Sequence, residues 1–350
     1  MAVAAAEVGM LGCWCAQAAR RATSWAESAL LAEAERAQPS PALGDGYAGV
    51  LASVTQGDFQ TSARLLDYAV RRWMVSPGEF HLLDEPERQR QRSFVRSACL
   101  LLAASRAGRA DLLSREAIER LLSYQHRSGG FFDMDPGQGH GLVEAFTTAW
   151  GGRVALRFSW HERARQAAQL LAEMLYMQPD PEGRFYFTYD STSSALLTRW
   201  RDREPQARYL DFSQTAGETH QLGMALAFLA ELHLADASGG WLRPLLGYIG
   251  VIQRWNASLM SLPALGVLAE GLALAGWAVP ASREELWPSL VSASRGIAAT
   301  QTGTGSFAAW NCGLGADYDR GFSAMETTGW TALGLSGAAQ ALQASLSVRA

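Results

Sequence analysis

The feature that most constrains this chain is a recurring glycine-aromatic segment. Gln125-His-Arg-Ser-Gly129-Gly130-Phe131 and Gln301-Thr-Gly-Thr-Gly305-Ser306-Phe307 share one pattern: Gln, three residues, Gly, one residue, Phe. The stretch from Gln178 to Phe185 repeats it with one residue inserted. Pro77-Gly78-Glu79-Phe80 keeps the Gly-x-Phe end, and Ser238-Gly239-Gly240-Trp241 is a looser version. Successive aromatic positions 80, 131, 185, 241 and 307 lie 51, 54, 56 and 66 residues apart. A period near fifty residues is the mark of a repeat architecture, with room for two helices and their connections. The glycine permits a tight turn, the aromatic fills the gap between adjacent helix pairs, and the Gln side chain can bond free backbone groups at a helix end.

Between these segments the apolar residues recur at helical spacing. Leu100, Leu101 and Leu102 lead into Ala103 and Ala104. Ala167, Leu170, Leu171 and Met174 mark one helix face, and Leu222, Leu226, Leu229 and Leu232 another. Strand-like alternation is almost absent, Arg184 to Tyr189 being the best short candidate. A second element follows the loops: Ser97-Ala98 and Thr147-Thr148-Ala149-Trp150 lie 17 residues beyond Phe80 and Phe131, counted to Ser97 and Thr148. Ser213-Gln214-Thr215-Ala216 and Thr327-Thr328-Gly329-Trp330 follow at longer offsets. Small residues at helix starts let neighbouring helices approach where a ring narrows. The reading is an all-α, α/α toroid of five or six helix pairs, a single domain over 1–350, with residues 1–60 as an N-terminal helical cap. Inner helices are expected to begin near 93, 141, 212, 257 and 322.

Composition removes several alternatives. With 48% hydrophobic and 18% charged residues over 350 positions, the chain can bury one large core. The net charge of −4 carries no basic cluster, so no nucleic-acid partner is expected. The stretch Glu85 to Arg96 reads as a solvated helix start. Cys13, Cys15, Cys99 and Cys312 are too few and too spread for a disulfide framework, which favours a reducing, cytoplasmic location. No run is long enough for a stable membrane span, and Glu7 stands where a secretory leader would carry positive charge.

The repeats and the Ser213-Gln214-Thr215-Ala216 string resemble the terpenoid-cyclase and protein-prenyltransferase superfamily of α-toroids, over roughly residues 70 to 345. The Gln-x3-Gly-x-Phe segments look like the Gln-Trp repeats of squalene and hopene cyclases, with Phe for Trp. That resemblance implies an inner ring of helices around a central cavity, an antiparallel outer ring, and an active site near the inner-helix starts. The catalytic signatures depart from the pattern. Asp211-Phe212-Ser213-Gln214-Thr215-Ala216 places Ser213 where the protonating cyclases carry their acidic Asp. Asn311-Cys312 and Asp317 lack the histidine that completes a prenyltransferase zinc site.

Polar residues at the inner-helix starts should face the cavity mouth. Candidate catalytic groups are Asp133, Asp135, His140, Glu144, Asp211, Glu218, His220 and Glu326, and candidate substrate-binding groups are Trp150, Trp330, Asp317 and Asp319. His140 and Glu144 are four apart and would share a helical face. Each also has a structural reading: the paired aspartates as helix caps, Glu144 and Glu326 as helix-dipole partners, and the tryptophans as packing. A carboxyl group in an aromatic-walled cavity has its pKa raised by desolvation and can serve as a general acid, and one beside a histidine as a base. No nucleotide loop, nucleophile elbow or His-Glu-x-x-His motif is present, so no cofactor and no metal are expected. The first expectation is a cofactor-independent cyclase or isomerase for an apolar terpenoid- or polyketide-like molecule. The alternatives are a carbohydrate-active hydrolase, lyase or epimerase, and a non-catalytic toroid that binds a ligand or partner.

Overall fold

The computed structural model describes residues 4–34, 46–80, 93–133, 141–199, 209–212, 219–254, 265–307 and 324–347. Two kinds of helix alternate along them. α1 (Ala5–Ala34) is followed by α2 (Tyr47–Thr55), α3 (Phe59–Trp73) by α4 (Ser93–Arg106), and α5 (Arg115–Ser123) by α6 (Ala145–Arg157). α7 (His161–Tyr176) is followed by α8 (Thr219–Ala235), α9 (Leu242–Arg254) by α10 (Leu265–Ala278), and α11 (Arg283–Thr300) by α12 (Ala324–Ser347). The first helix of a pair is two-faced: α3 buries Leu65, Leu66, Tyr68, Ala69 and Trp73 while Arg64 and Arg71 face solvent. The second is buried all round, as α4 is from Ser93 to Ala104 and α10 from Leu265 to Gly276. A helix without a polar face needs neighbours on every side. The even-numbered helices therefore form the inner layer.

That layer closes on itself. α2 packs against α4, α4 against α6, α6 against α8, α8 against α10, α10 against α12, and α12 against α2. The protein is an all-α toroid of six helix pairs among the described residues. The first pair comes from the segment expected as a cap: α2 is an inner helix, and α1 lies in the outer layer against α12. The inner helices touch through backbone at their narrowest points. A Cβ on Gly266 of α10 would stand 2.6 Å from the Cα of Thr331 in α12.

The two ends of the ring differ. Inner helices lead to outer ones through short turns, two of them opened by side-chain caps: Asp58 accepts from Thr61 N (3.0 Å) and Ser114 from Ala117 N (3.2 Å). Outer helices lead to inner ones through long segments, and these hold all the described strands. β1 (Met74–Ser76) pairs with β2 (Glu79–Phe80). β3 (Leu142–Glu144) pairs with β5 (Thr188–Asp190), which also pairs with β6 (Ala195–Leu196). β4 (Arg184–Tyr186) pairs with β7 (Tyr209–Asp211). All these pairs are antiparallel, and they stiffen the mouth formed by the inner-helix starts.

The repeat has a physical explanation. Gln125 Nε2 donates to the carbonyls of Gly129 (3.0 Å) and of Arg163 in the next outer helix (3.0 Å). Gln301 does the same with Gly305 (3.0 Å) and Ala18 of α1 (3.0 Å). Gly129 and Gly305 have φ of 94° and 99°, a conformation costly for any residue with a side chain. The aromatic amide then bonds the small hydroxyl residue of the inner helix. Phe131 N donates to Thr148 Oγ1 (3.3 Å), Phe307 N to Thr328 Oγ1 (2.9 Å), and Phe80 N to Ser97 Oγ (3.4 Å). Each buried aromatic adds about 1.5–3 kcal/mol of burial. Ser238-Gly239-Gly240-Trp241 is not part of this set, because it forms the short turn from α8 to α9 at the opposite end.

Deep in the ring, toward the short-turn end, Arg153 of α6 joins Glu231 of α8 and Glu270 of α10. Its Nε and Nη2 donate to Glu231 at 3.0 and 2.9 Å, and its Nη1 and Nη2 to Glu270 at 3.1 and 2.6 Å. Burial alone would lower the Arg153 pKa, but the two carboxylates reverse this and hold the guanidinium charged.

Candidate active site

The starts of the inner helices supply a set of aromatic rings that cross the lumen. α6 and α12 lie on opposite sides of the ring, and their tryptophans meet in its centre. Trp330 stands 5.5 Å from Trp150 at an interplanar angle of 79°. It also meets Phe146 at 5.5 Å and Tyr47 at 6.2 Å, again edge to face. Phe146 in turn meets the imidazole of His220 at 5.1 Å. Edge-to-face contacts set the positive rim of one ring against the negative face of another, contributing about 0.5–1.5 kcal/mol each beyond burial. Together the rings make a partition. Trp150 and Trp330 are buried within it, whereas Phe146 and His220 are half-buried at its edge.

One wall beside this partition is polar. Tyr47, the first residue of α2, donates its hydroxyl to Glu326 Oε1 at 2.9 Å, and Glu326 is 3% exposed in the first turn of α12. The guanidinium of Arg96 from α4 lies 5.8 Å above the Tyr47 ring and donates to the Phe80 carbonyl at 3.5 Å. Cys99, one turn further along α4, is fully buried. Its thiol is pushed well above the usual value by burial and then by the charge of Glu326, which leaves it a poor nucleophile. Across the mouth, Gln221 Oε1 accepts from Phe146 N (3.2 Å), tying the start of α6 to α8 and fixing the turn that carries His220. Carboxylate, phenol, guanidinium and imidazole thus surround one aromatic floor, an arrangement able to hold a ring-shaped ligand and move a proton.

Of the residues singled out from sequence, Glu326, His220, Trp150 and Trp330 come together here. The tryptophans form the buried floor rather than an open stacking surface. Glu144 lies at the end of β3 and begins α6 without a side-chain cap bond. Its strand placement removes the helical face expected to join it to His140. Asp133 stands beside the start of α4, where its carbonyl accepts from Phe94 N (3.3 Å) and Ser93 Oγ (3.4 Å). Asp211 does not open a helix either: it lies in β7, buried, and accepts from Arg184 Nε at 3.2 Å. Asp135, His140, Glu218, Asp317 and Asp319 lie outside the described residues. Tyr47 and Arg96 were not anticipated. Arg96, expected in a solvated helix start, is 1% exposed. Among the described residues no group of His, Cys, Asp and Glu is placed to hold a metal ion, and no helix is long and apolar enough to cross a membrane.

No family model and no curated protein sequence matches the chain. Its fold is similar to that of a family 105 glycoside hydrolase from C. acetobutylicum ATCC 824, with a TM-score of 0.54 at 12% identity over 91% of this chain and 98% of that one. It is also similar to a possible member of the same family from Salmonella enterica subsp. enterica serovar Paratyphi A str. ATCC 9150. There the TM-score is 0.55 at 13% identity, over 85% of this chain and 82% of that one. At such identity the likeness shows the α/α toroid fold alone.

Proposed function

We propose that the chain is a carbohydrate-active hydrolase whose site is the long-loop mouth of the toroid. The observation that carries this reading is the buried Glu326 carboxylate, held by the Tyr47 hydroxyl beside an aromatic floor. Aromatic rings pack against the C–H faces of sugars, and glycoside hydrolysis needs a carboxyl group to exchange a proton with the glycosidic oxygen or the attacking water. Glu144, at the start of α6 and so opposite α12, is the second carboxylate for that pair. One group protonates the departing oxygen while the other takes a proton from water, whose oxygen bonds to the anomeric carbon as the glycosidic bond breaks. His220 borders the same floor as a further proton-transfer group. The glycoside-hydrolase neighbours support this reading over the cyclase expectation, which now stands second. A specific observation still favours that second reading: the apolar floor of Trp150, Trp330 and Phe146 would also suit an isoprenoid.

The two readings separate in one screen. The purified protein is incubated with neutral and uronic-acid-containing oligosaccharides and, in parallel, with linear isoprenoids, and all products are identified by mass spectrometry. New reducing ends, reduced about 10²–10⁴-fold in Glu326→Gln, are the expected result. Conversion of isoprenoids alone would reverse the order of the two readings.

A further inference from the structure

The end of the ring where the inner helices finish holds a chamber. It is a cavity of about 540 Å³, within the range of small-molecule sites. Leu102, Leu274 and Trp277 line its walls, Trp150 borders it from the aromatic partition, and Arg106 and Arg157 stand among its lining residues at the last turns of α4 and α6. Trp150 is the one residue of the aromatic floor that lines it; Tyr47, Phe146, His220, Glu326 and Trp330 do not.

Its charges do not balance. The ionisable groups lining it or bonded there are Arg106, Arg153, Arg157, His161, Glu231 and Glu270. Arg153 is saturated by the two carboxylates, and Arg157 reaches Glu231 through one Nη (3.1 Å). Arg106 donates to Thr55 Oγ1, and among the described residues no carboxylate bonds it. Three guanidiniums therefore face two carboxylates. Trp150 adds a buried Nε1–H with no acceptor among the described residues. The helix C-termini around the rim oppose an anion, but that field fades within a turn. Turn amides also bond the last carbonyls there, as Arg109 N does Ala104 O (2.9 Å) and Trp160 N does Ala155 O (2.7 Å).

We propose that this chamber binds a small amphiphilic anion, its apolar body among Leu102, Leu274 and Trp277 and its carboxylate or phosphate-monoester head on Arg106 and Arg157. The forked guanidinium suits either head group, since both offer two oxygens at matching spacing. Such binding requires no hydrolase activity at the mouth.

Isothermal titration of the full chain with octanoate, octyl phosphate and octanol tests it. At least one anion should bind about tenfold or more tightly than octanol, and the tighter of the two anions names the head group. Anion affinity should fall as salt is raised. Arg106→Gln, a change at an exposed side chain, should weaken the anion about tenfold and leave octanol unchanged. Leu274→Trp, which fills the wall, should remove all three. Equal affinity for octanol and the anions, no anion binding at millimolar concentration, or an Arg106→Gln protein that binds as before would overturn the proposal.

Discussion

Replacing Arg153 by Leu should destabilise the fold by about 3–5 kcal/mol, because it strands a buried charge. Arg153 makes four hydrogen bonds to carboxylates, two to each of Glu231 and Glu270, whose side chains are 15% and 7% exposed. When it is removed, Glu231 keeps Arg157 at 3.1 Å. Glu270 keeps no hydrogen-bonding cation among the described residues, so the cost falls on that side chain. A second change, Glu270→Leu, removes the stranded charge and fills the space with apolar atoms. The double variant should therefore recover to within about 1–2 kcal/mol of the wild type, well short of the sum of the single losses. Urea unfolding followed by far-ultraviolet circular dichroism at neutral pH measures all four proteins. If Arg153→Leu costs less than about 1 kcal/mol, or the single losses simply add, the network does not tie α6, α8 and α10 together as argued.

The same network predicts an acid limit. Burial alone would raise the Glu231 pKa, but Arg153, Arg157 and Arg106 prevail and hold it below the ordinary glutamate value. Its contribution should be complete above about pH 4.3, the unfolded value, and fade as pH falls through the lower folded one, read as a dropping urea midpoint. Gln125→Leu should cost about 1–3 kcal/mol by the same unfolding assay, since the carbonyls of Gly129 and Arg163 lose a shared donor. Gly129→Ala should cost roughly 3 kcal/mol or more, because the new Cβ meets the Gln166 backbone at positive φ; a thermally unchanged protein would contradict that turn geometry. Tyr47→Phe should cost about 1.5–3 kcal/mol, the worth of a hydrogen bond to a charged group, and an unshifted midpoint would mean that Glu326 is held otherwise.

The fold was legible because each repeat residue has its own task. Gln125 and Gln301 bridge a loop to the next outer helix, Gly129 and Gly305 turn the chain, and Thr148 and Thr328 receive the aromatic amide. Such local geometry leaves a fixed spacing in the sequence. α2 was harder to read, since Tyr47–Thr55 is short and lies outside the segments that carry the pattern. The site was only partly legible. Glu326 and Trp330 could be placed because they open a helix aligned with the repeat. Tyr47 and Arg96 reach the same wall from helices distant in sequence, and nothing local marks them as partners. The helical face drawn through His140 and Glu144 fails at Glu144, because four-residue spacing implies a shared face only within a helix, and Glu144 ends a strand. Arg153 and Glu270 did carry a usable signal, as charges in helices otherwise nearly free of them.

The most direct measurement is a crystal structure of Glu326→Gln with an intact oligosaccharide that the wild-type protein cleaves. The account predicts a sugar ring against Phe146 and the aromatic floor, with its glycosidic oxygen within hydrogen-bonding distance of the position 326 or 144 side chain. A sugar found only in the short-turn chamber or on the outer helices would contradict it.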